Sequence, residues 1–247
     1  MSTEDLDRFA GAYSADFKFH DENLSMLSWY AARMVPTLRR AAVRSMVSLG
    51  IGHRVVSRTV IEGLADSLAR YTIVEGSAQS ISDFCAGGPL PACVDLIHAR
   101  FEEFDPGGPV DAIEMGFVLE HVDDPDLVLR RYAGFLRPGG VMVVVVPNAR
   151  SLHRLFGQAA GLLDDVYRLS EHDLALGHKR YYDLESLTRA VSAAGMRVVR
   201  TEGVFLKPLS TGQLERLQLP SEVRRSFFEV GVAHPALCNA IYLETTV

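Results

Sequence analysis

The sequence has little cysteine and no long hydrophobic run. Its 247 residues include three cysteines, Cys85, Cys93 and Cys238, and none of them forms a Cys-x-x-Cys pair. Three cysteines cannot form a disulfide framework, and the missing pair argues against a cysteine-based zinc site. The longest strongly apolar run, Val141–Pro147, is far too short to span a bilayer. The sequence therefore predicts neither a disulfide-stabilised secreted protein nor a membrane-spanning one.

The chain also lacks a strong charge imbalance and a leader-like N-terminus. Its formal net charge of −6 argues against a nucleic-acid backbone as the main partner. Two acids stand among the first five residues without an apolar run behind them, so we expect no secretory signal. A composition of 48% hydrophobic and 23% charged residues is that of a globular protein with a core. We expect a cytoplasmic protein with no nucleic-acid or membrane partner, and a homodimer stays open.

Strand-like and helix-like stretches alternate along the chain from about residue 45. This alternation predicts an α/β fold in which helices cover a parallel sheet. We expect strands at 45–49, 71–74, 94–98, 111–115, 141–146, 197–204 and 240–245. We expect helices at 21–44, with Pro36 as a break or kink, at 55–68, from 125 to 136 and from 183 to 195. The chain is expected to be one domain, 1–247, with an N-terminal helical cap at 1–43 and a lid-like insertion at 150–180.

A glycine turn follows the first strand, and an acid ends the second strand. In the turn Gly50-Ile51-Gly52, small residues allow a ligand to approach the backbone closely. Glu75 lies 23 residues after Gly52, and a carboxylate there can accept the hydroxyl protons of a ribose. Nicotinamide and adenosine cofactors both fit, but Val55 replaces the last glycine of the dinucleotide fingerprint, which weakens the nicotinamide interpretation. A tight turn with a surface acid is the alternative without a cofactor.

Three later segments carry a family resemblance. Val110–Pro125, with the sequence VDAIEMGFVLEHVDDP, resembles the fourth-strand motif of class I S-adenosylmethionine-dependent methyltransferases. Phe135–Gly140, which leads into the fifth strand, is similar to the matching segment of that family, and so is Gly177–Met196 before the sixth strand. The resemblance covers about residues 40–205. It implies a doubly wound Rossmann-like sheet of seven strands, mostly parallel, with an antiparallel last strand between the fifth and sixth, and helices on both faces.

The resemblance also implies S-adenosyl-L-methionine as the cofactor. The glycine turn would meet its methionine part, Glu75 would hold the ribose, and Phe101-Glu102 would flank the adenine. Gly116-Phe117 would lie beside the transferable methyl group. Ser48 stands where the family usually has an acid, and its hydroxyl can still hydrogen-bond the cofactor's ammonium group. The full set of expected cofactor contacts is Ser48, Gly50, Ile51, Gly52, Glu75, Gly76, Phe101, Glu102, Gly116 and Phe117.

Two histidines are candidates for a general base. His121 lies just past the fourth strand, near the expected methyl position, and histidine titrates close to neutral pH. His172 stands between Glu171 and Asp173, and either acid could hold its ring in one tautomer. The alternatives are a histidine that only shapes its loop and a solvated acidic loop. The spacing of this cluster with His178 matches no metal-ligand pattern, so we expect no metal.

The resemblance implies a methyltransferase, and we expect it to act on a small-molecule hydroxyl or amine. Its acceptor would bind between the N-terminal helix and residues 150–180. Aromatic residues near the N-terminus could cap the cofactor or stack on the acceptor, or belong to the core: Tyr13, Phe17, Phe19, Trp29 and Tyr30. Two alternatives stay open. One is another use of the same cofactor, such as cyclisation or alkyl transfer, and the other is a cofactor-binding protein without catalysis.

Overall fold

Seven strands form one sheet in the computed structural model, which describes residues 6, 7, 9, 19–64 and 66–247. The strands are β1 (Ser45–Leu49), β2 (Arg70–Glu75), β3 (Val94–His98), β4 (Val110–Gly116), β5 (Leu136–Pro147), β6 (Arg197–Val204) and β7 (Ala240–Thr246). Their order across the sheet is β3-β2-β1-β4-β5-β7-β6. Strands β1 to β5 pair in parallel, and β7 runs antiparallel to both β5 and β6. This confirms the expected doubly wound Rossmann-like sheet with an antiparallel last strand.

Helices cover both faces of the sheet. They are α1 (His20–Arg40), α2 (Val55–Leu64), α3 (Ala78–Cys85), α4 (Pro125–Ala133), α5 (Leu152–Ala159), α6 (Glu171–Ala175), α7 (Leu184–Ala193), α8 (Thr211–Arg216) and α9 (Ser221–Gly231). One buried cluster packs α4 and α7 against the sheet, and a second packs α1, α2 and α3 against the opposite face. Both sides of the sheet are therefore removed from water, as a mainly parallel sheet requires.

The run of branched residues in β5 serves both of these clusters. Met142, Val144 and Val146 belong to the cluster with α4 and α7, whereas Val143 and Val145 belong to the cluster with α1. All five are fully buried. Side chains alternate between the faces of a strand, so a continuous apolar run indicates a strand covered on both sides. The prediction of a doubly buried fifth strand is confirmed.

Two helix starts follow the sequence signals. The side chain of Asp124 accepts a hydrogen bond from the N–H of Leu127, and Pro125 occupies the first turn of α4. Asp183 caps α7 by accepting from the N–H of Ser186. Such caps satisfy N–H groups that have no partner inside the helix.

Several element boundaries differ from the predictions. Helix α1 continues through Pro36. The proline removes one helical hydrogen bond, but the packing of the buried face of α1 on the sheet outweighs that loss. Leu136, expected on the stripe of α4, begins β5 instead, and α4 ends at Ala133 with Gly134 as its C-cap. Helix α2 ends at Leu64 rather than at residue 68. Helices α3, α8 and α9 were not predicted at all.

The carboxyl ends of four neighbouring strands meet at one edge of the sheet. Strand β1 pairs with β2 on one side and with β4 on the other, so the chain's order reverses between β1 and β4. Open α/β sheets bind ligands outside this edge, at such a reversal. Across the described ranges, no helix has both the length and the apolar character that a bilayer crossing needs.

Candidate active site

A cavity of about 1230 Å³ opens at this edge of the sheet. Its wall includes residues from the ends of β1, β2, β4 and β5, from α1, and from the segment 150–180. Ligand pockets commonly measure about 300–1,000 Å³, so this cavity has room for two small molecules side by side. All expected cofactor contacts except Ser48 line it: Gly50, Ile51, Gly52, Glu75, Gly76, Phe101, Glu102, Gly116 and Phe117.

The carboxylate of Glu75 joins the two turns beside the cavity. One oxygen accepts from the N–H of Ile51 at 2.9 Å, and the other accepts from the N–H of Ser77 at 2.8 Å. A carboxylate has about four lone-pair sites, so two remain for the hydroxyls of a ligand. Gly50 has φ +83°, and a Cβ built there would come within 3.9 Å of the ring of Phe101. The turn therefore needs glycine for its backbone and leaves the space above it open.

Ser48 is not among the residues that line the cavity, and its contact with a cofactor stays a prediction. Its side chain is buried, and its hydroxyl lies 2.9 Å from the hydroxyl of Tyr71. The residue paired with it across β1 and β4 is Glu114, which does line the cavity. Burial raises the pKa of Glu114 to about 7. Interactions with Tyr30, Ser48 and the N–H of Gly116 favour the ionised form, but they only partly offset the effect of burial. Sequence reasoning missed this acid, although a glutamate inside an otherwise apolar strand is an unusual signal.

Gly116 is required by the side chains around it. A Cβ at this position would overlap the Tyr30 hydroxyl and the Glu114 carboxylate. The N–H of Gly116 donates to that same carboxylate at 2.7 Å, and Phe117 follows with φ +58°. The end of β4 is thus held in one conformation where it meets the cavity.

His121 lines the cavity, but its surroundings make it a weak base. Its ring lies 4.8 Å, centroid to centroid, from the ring of His178. Burial, together with His178, lowers the pKa of His121 to about 3. The imidazole is therefore neutral at physiological pH and binds a proton poorly.

His172 also lines the cavity, where its ring meets the edge of Phe19 at 4.3 Å. Asp173, one of the two acids expected to hold the ring of His172, instead directs its carboxylate to other groups. One oxygen accepts from the Tyr181 hydroxyl at 2.8 Å and lies 3.2 Å from Nδ1 of His178, and the other accepts from the backbone and side chain of Ser170. The pair that the structure forms is His178–Asp173, which the sequence order did not indicate.

The ionised form of Asp173 is strongly favoured. Burial alone would raise the pKa of Asp173, but hydrogen bonds from His178, Ser170 and Tyr181 hold it well below its usual range. An ionised Asp173 accepts the Nδ1–H of His178, which leaves Nε2 of that ring as a proton acceptor. His178 lines the cavity, so a base held in one tautomer stands at its wall.

Glu120 is buried beside these histidines, and its carboxylate oxygens have no hydrogen-bond partner within the described residues. Burial raises the pKa of Glu120 to about 7. One ligand atom each of Glu120, His121 and His178 lies within 4.8 Å of the others, a grouping that could hold a metal ion. Sequence spacing did not join these residues, because 57 positions separate His121 from His178.

The segment 150–180 is tied to the rest of the site. Arg154 donates to the carbonyl of Val166 at 2.9 Å and lies over the ring of Tyr181. At the end of the segment, Arg180 donates to the carbonyl of Leu119 at 2.9 Å, which connects the segment to the loop that follows β4. These contacts bring the segment's titratable groups to the cavity wall.

The N-terminal aromatic residues divide into two groups. Phe19 and Tyr30 line the cavity, whereas Trp29 packs against α9. Tyr13 and Phe17 lie outside the described residues.

Comparison with known proteins identifies the family. Residues 30–201 match a family described as a methyltransferase domain. The match spans more than half of the chain, and the fold is the one expected for such proteins. The protein therefore belongs to the class I S-adenosylmethionine-dependent methyltransferases.

Individual relatives are more distant. The ubiquinone biosynthesis O-methyltransferase of Aeromonas salmonicida (strain A449) is 33% identical over 101 residues, which cover 40% of this chain and 41% of that protein. The match thus spans less than half the length of this curated relative. An S-adenosylmethionine-dependent methyltransferase structure from Mesorhizobium loti has a TM-score of 0.58 and 17% identity, covering 86% of this chain and 96% of the other. The N-methyltransferase NodS from Bradyrhizobium japonicum WM9, in complex with S-adenosyl-L-homocysteine, has a TM-score of 0.56 and 13% identity, covering 94% and 89%. At these identities the two structures show the fold alone.

S-adenosyl-L-methionine is the cofactor of this family, and the residues at the sheet edge fit it. The cavity is large enough, Gly50 leaves open space before Phe101, and Glu75 keeps lone pairs for ribose hydroxyls. The assignment of individual residues to parts of the cofactor stays a prediction.

Proposed function

We propose that this protein transfers a methyl group to a hydroxyl or amine of a small molecule. The observation that carries the proposal is one cavity of about 1230 Å³ that holds both the glycine turn with Glu75 and a cluster of histidines. The first group suits a nucleoside cofactor, and the second suits an acceptor that must lose a proton. Relatives that bear the names of an O-methyltransferase and an N-methyltransferase support both kinds of acceptor.

The acceptor is proposed to bind between α1 and the segment 150–180, which would act as its lid. Both elements contribute apolar side chains to the cavity wall: Met26, Leu27, Leu174 and Leu176. A polar group stands in the same wall, where Lys207 donates to Glu22 at 2.6 Å and to Thr211 at 2.7 Å. An apolar wall with a few fixed polar groups is typical of a site for a small organic molecule.

The chain's own contribution to the reaction is mainly positioning. When bound, S-adenosylmethionine supplies a methyl group already activated by its sulfonium. The protein must hold the acceptor atom in line with that group and take a proton from a hydroxyl or an ammonium. His121 and His172 are the bases expected from the sequence, and the structure adds His178. The hydrogen bond to Asp173 fixes the ring of His178, which favours it over His121, whose lowered pKa makes it a weak base.

The test is a product analysis with the purified protein. The protein would be incubated with S-adenosylmethionine labelled in its methyl group and with panels of small phenols, alcohols and amines. We expect a labelled acceptor and S-adenosylhomocysteine in equal amounts, and no product with Glu75→Ala at low cofactor concentration. Methylthioadenosine as the main product would instead indicate cyclisation or transfer of the aminobutyrate chain.

A further inference from the structure

Glu114 lies beside Ser48, the residue that stands where the family usually has an acid. Ser48 and Glu114 are register partners in the parallel pair of β1 and β4. Paired positions on neighbouring strands direct their side chains to the same face, so Ser48 and Glu114 are neighbours on the face of the sheet that α1 covers. The carboxyl group that β1 lacks is therefore present one strand away, in the wall of the same cavity.

The carboxylate of Glu114 is buried among neutral donors. The residue is 3% exposed, and one oxygen accepts from the Tyr30 hydroxyl at 2.9 Å and from the N–H of Gly116 at 2.7 Å. Of the ion pairs formed by the described residues, none includes Glu114. Burying a carboxylate without a cation is costly, and burial raises the pKa of Glu114 to about 7. A cationic ligand would supply the missing charge.

The order of the strands indicates which part of the cofactor reaches Glu114. Glu75 ends β2, the glycine turn follows β1, and Glu114 lies near the end of β4, so the three features follow one another across the sheet edge. A cofactor with its ribose at Glu75 extends its amino-acid arm over the glycine turn toward β4. That arm carries an α-amino group that is mostly protonated to an ammonium at neutral pH, both in S-adenosylmethionine and in S-adenosylhomocysteine.

We propose that Glu114 is the counter-ion of the cofactor's α-ammonium group. It would take the role of the acid that the family usually has at the position of Ser48. Tyr30 and Gly116 hold the carboxylate in place, and Tyr30 also brings α1 against the cofactor's arm. The proposal rests on the cofactor assignment, but it does not depend on which acceptor is methylated.

The experiment measures binding by calorimetric titration with three nucleosides. S-adenosylhomocysteine carries the ammonium group, its deamino analogue carries hydrogen there, and 5′-methylthioadenosine lacks the whole amino-acid arm. The proteins are the wild type, Glu114→Gln and Glu75→Gln. Glutamine has nearly the shape of glutamate, so Glu114→Gln removes the charge while keeping the packing.

We expect the wild type to bind S-adenosylhomocysteine at least about tenfold more tightly than the deamino analogue, the scale of a charge-assisted hydrogen bond. Glu114→Gln should lose that preference and keep its affinity for methylthioadenosine within about twofold. Glu75→Gln should weaken all three ligands, because each contains the ribose.

Four results would overturn the proposal. One is a wild type that binds the amino and deamino ligands equally, a result that needs no variant to fold. Another is an unchanged affinity of Glu114→Gln for S-adenosylhomocysteine, and the third is an equal loss for all three nucleosides, which would indicate a purely structural role. The fourth is a wild type that binds none of the three nucleosides, which would refute the cofactor assignment and, with it, the role proposed for Glu114. A failure to methylate any acceptor would instead contradict the proposed function and leave the binding result intact.

Discussion

Glu75→Ala is expected to weaken S-adenosylhomocysteine binding by about ten- to a hundredfold. The carboxylate already accepts the N–H groups of Ile51 and Ser77, at 2.9 and 2.8 Å, and two of its lone-pair sites remain for ribose hydroxyls. Hydrogen bonds to a charged group contribute about 1.5–3 kcal/mol, and about 1.4 kcal/mol corresponds to a factor of ten in affinity. Calorimetric titration with S-adenosylhomocysteine measures the change directly.

The same variant also loses the two bonds that join the turns, so its free energy of unfolding should fall by roughly 1–2 kcal/mol. Asp124→Ala is the matched control. It removes the N-cap of α4, outside the cavity lining, and should cost about 1 kcal/mol of stability without changing nucleoside affinity. An unchanged dissociation constant for Glu75→Ala would refute the ribose assignment. A comparable loss of affinity in Asp124→Ala would show that general destabilisation explains the effect.

Three further predictions follow from the site. Gly50→Val should abolish S-adenosylhomocysteine binding and lower the melting temperature, because φ is +83° and the side chain enters the cavity; normal binding would contradict this. Alanine variants would be made at His121, His172 and His178. The variant that removes the base should lose about 10²–10⁴-fold in turnover while keeping cofactor affinity. Full turnover in all three variants would mean that none of these histidines is the base and that catalysis rests on positioning of the reactants. Burial raises the pKa of Glu120 to about 7, so its ionisation opposes folding. Relative to Glu120→Gln, the wild type should therefore lose on the order of 3 kcal/mol of unfolding free energy as pH rises from about 5 to about 8. Denaturant unfolding of both proteins across this pH range measures the difference, and the same pH dependence in both would contradict the prediction.

The fold class and most of the strands could be predicted from the amino-acid sequence. β1 and β3 have the predicted bounds, and the apolar run of β5 indicated a strand buried on both sides. The starts of α4 and α7 were also local signals, because a capping side chain bonds backbone groups only a few residues away. Such features can be predicted because each depends on a short stretch of chain.

Packing decided other boundaries against the local signal. Pro36 disfavours a helix, yet α1 continues because its apolar face is buried on the sheet. Leu136 fits the helical stripe of α4, but pairing with Val110 places it in β5. Helices α8 and α9 lie in a stretch without a strong pattern, and part of α9 packs on α1 through Phe228 and Trp29.

For the site, the sequence indicated the positions but not the partners. Gly50 and Glu75 could be placed together because both lie at the carboxyl ends of parallel strands, and those ends meet at one edge of the sheet. The pairing of Asp173 with His178 rather than with its neighbour His172 depends on how α6 and the following loop fold back. The position of Glu114 beside Ser48 depends on the register of β1 and β4, which joins residues 66 positions apart. Hydrogen bonds act over about 3 Å in space, and the folding of the whole chain is what brings such distant residues that close.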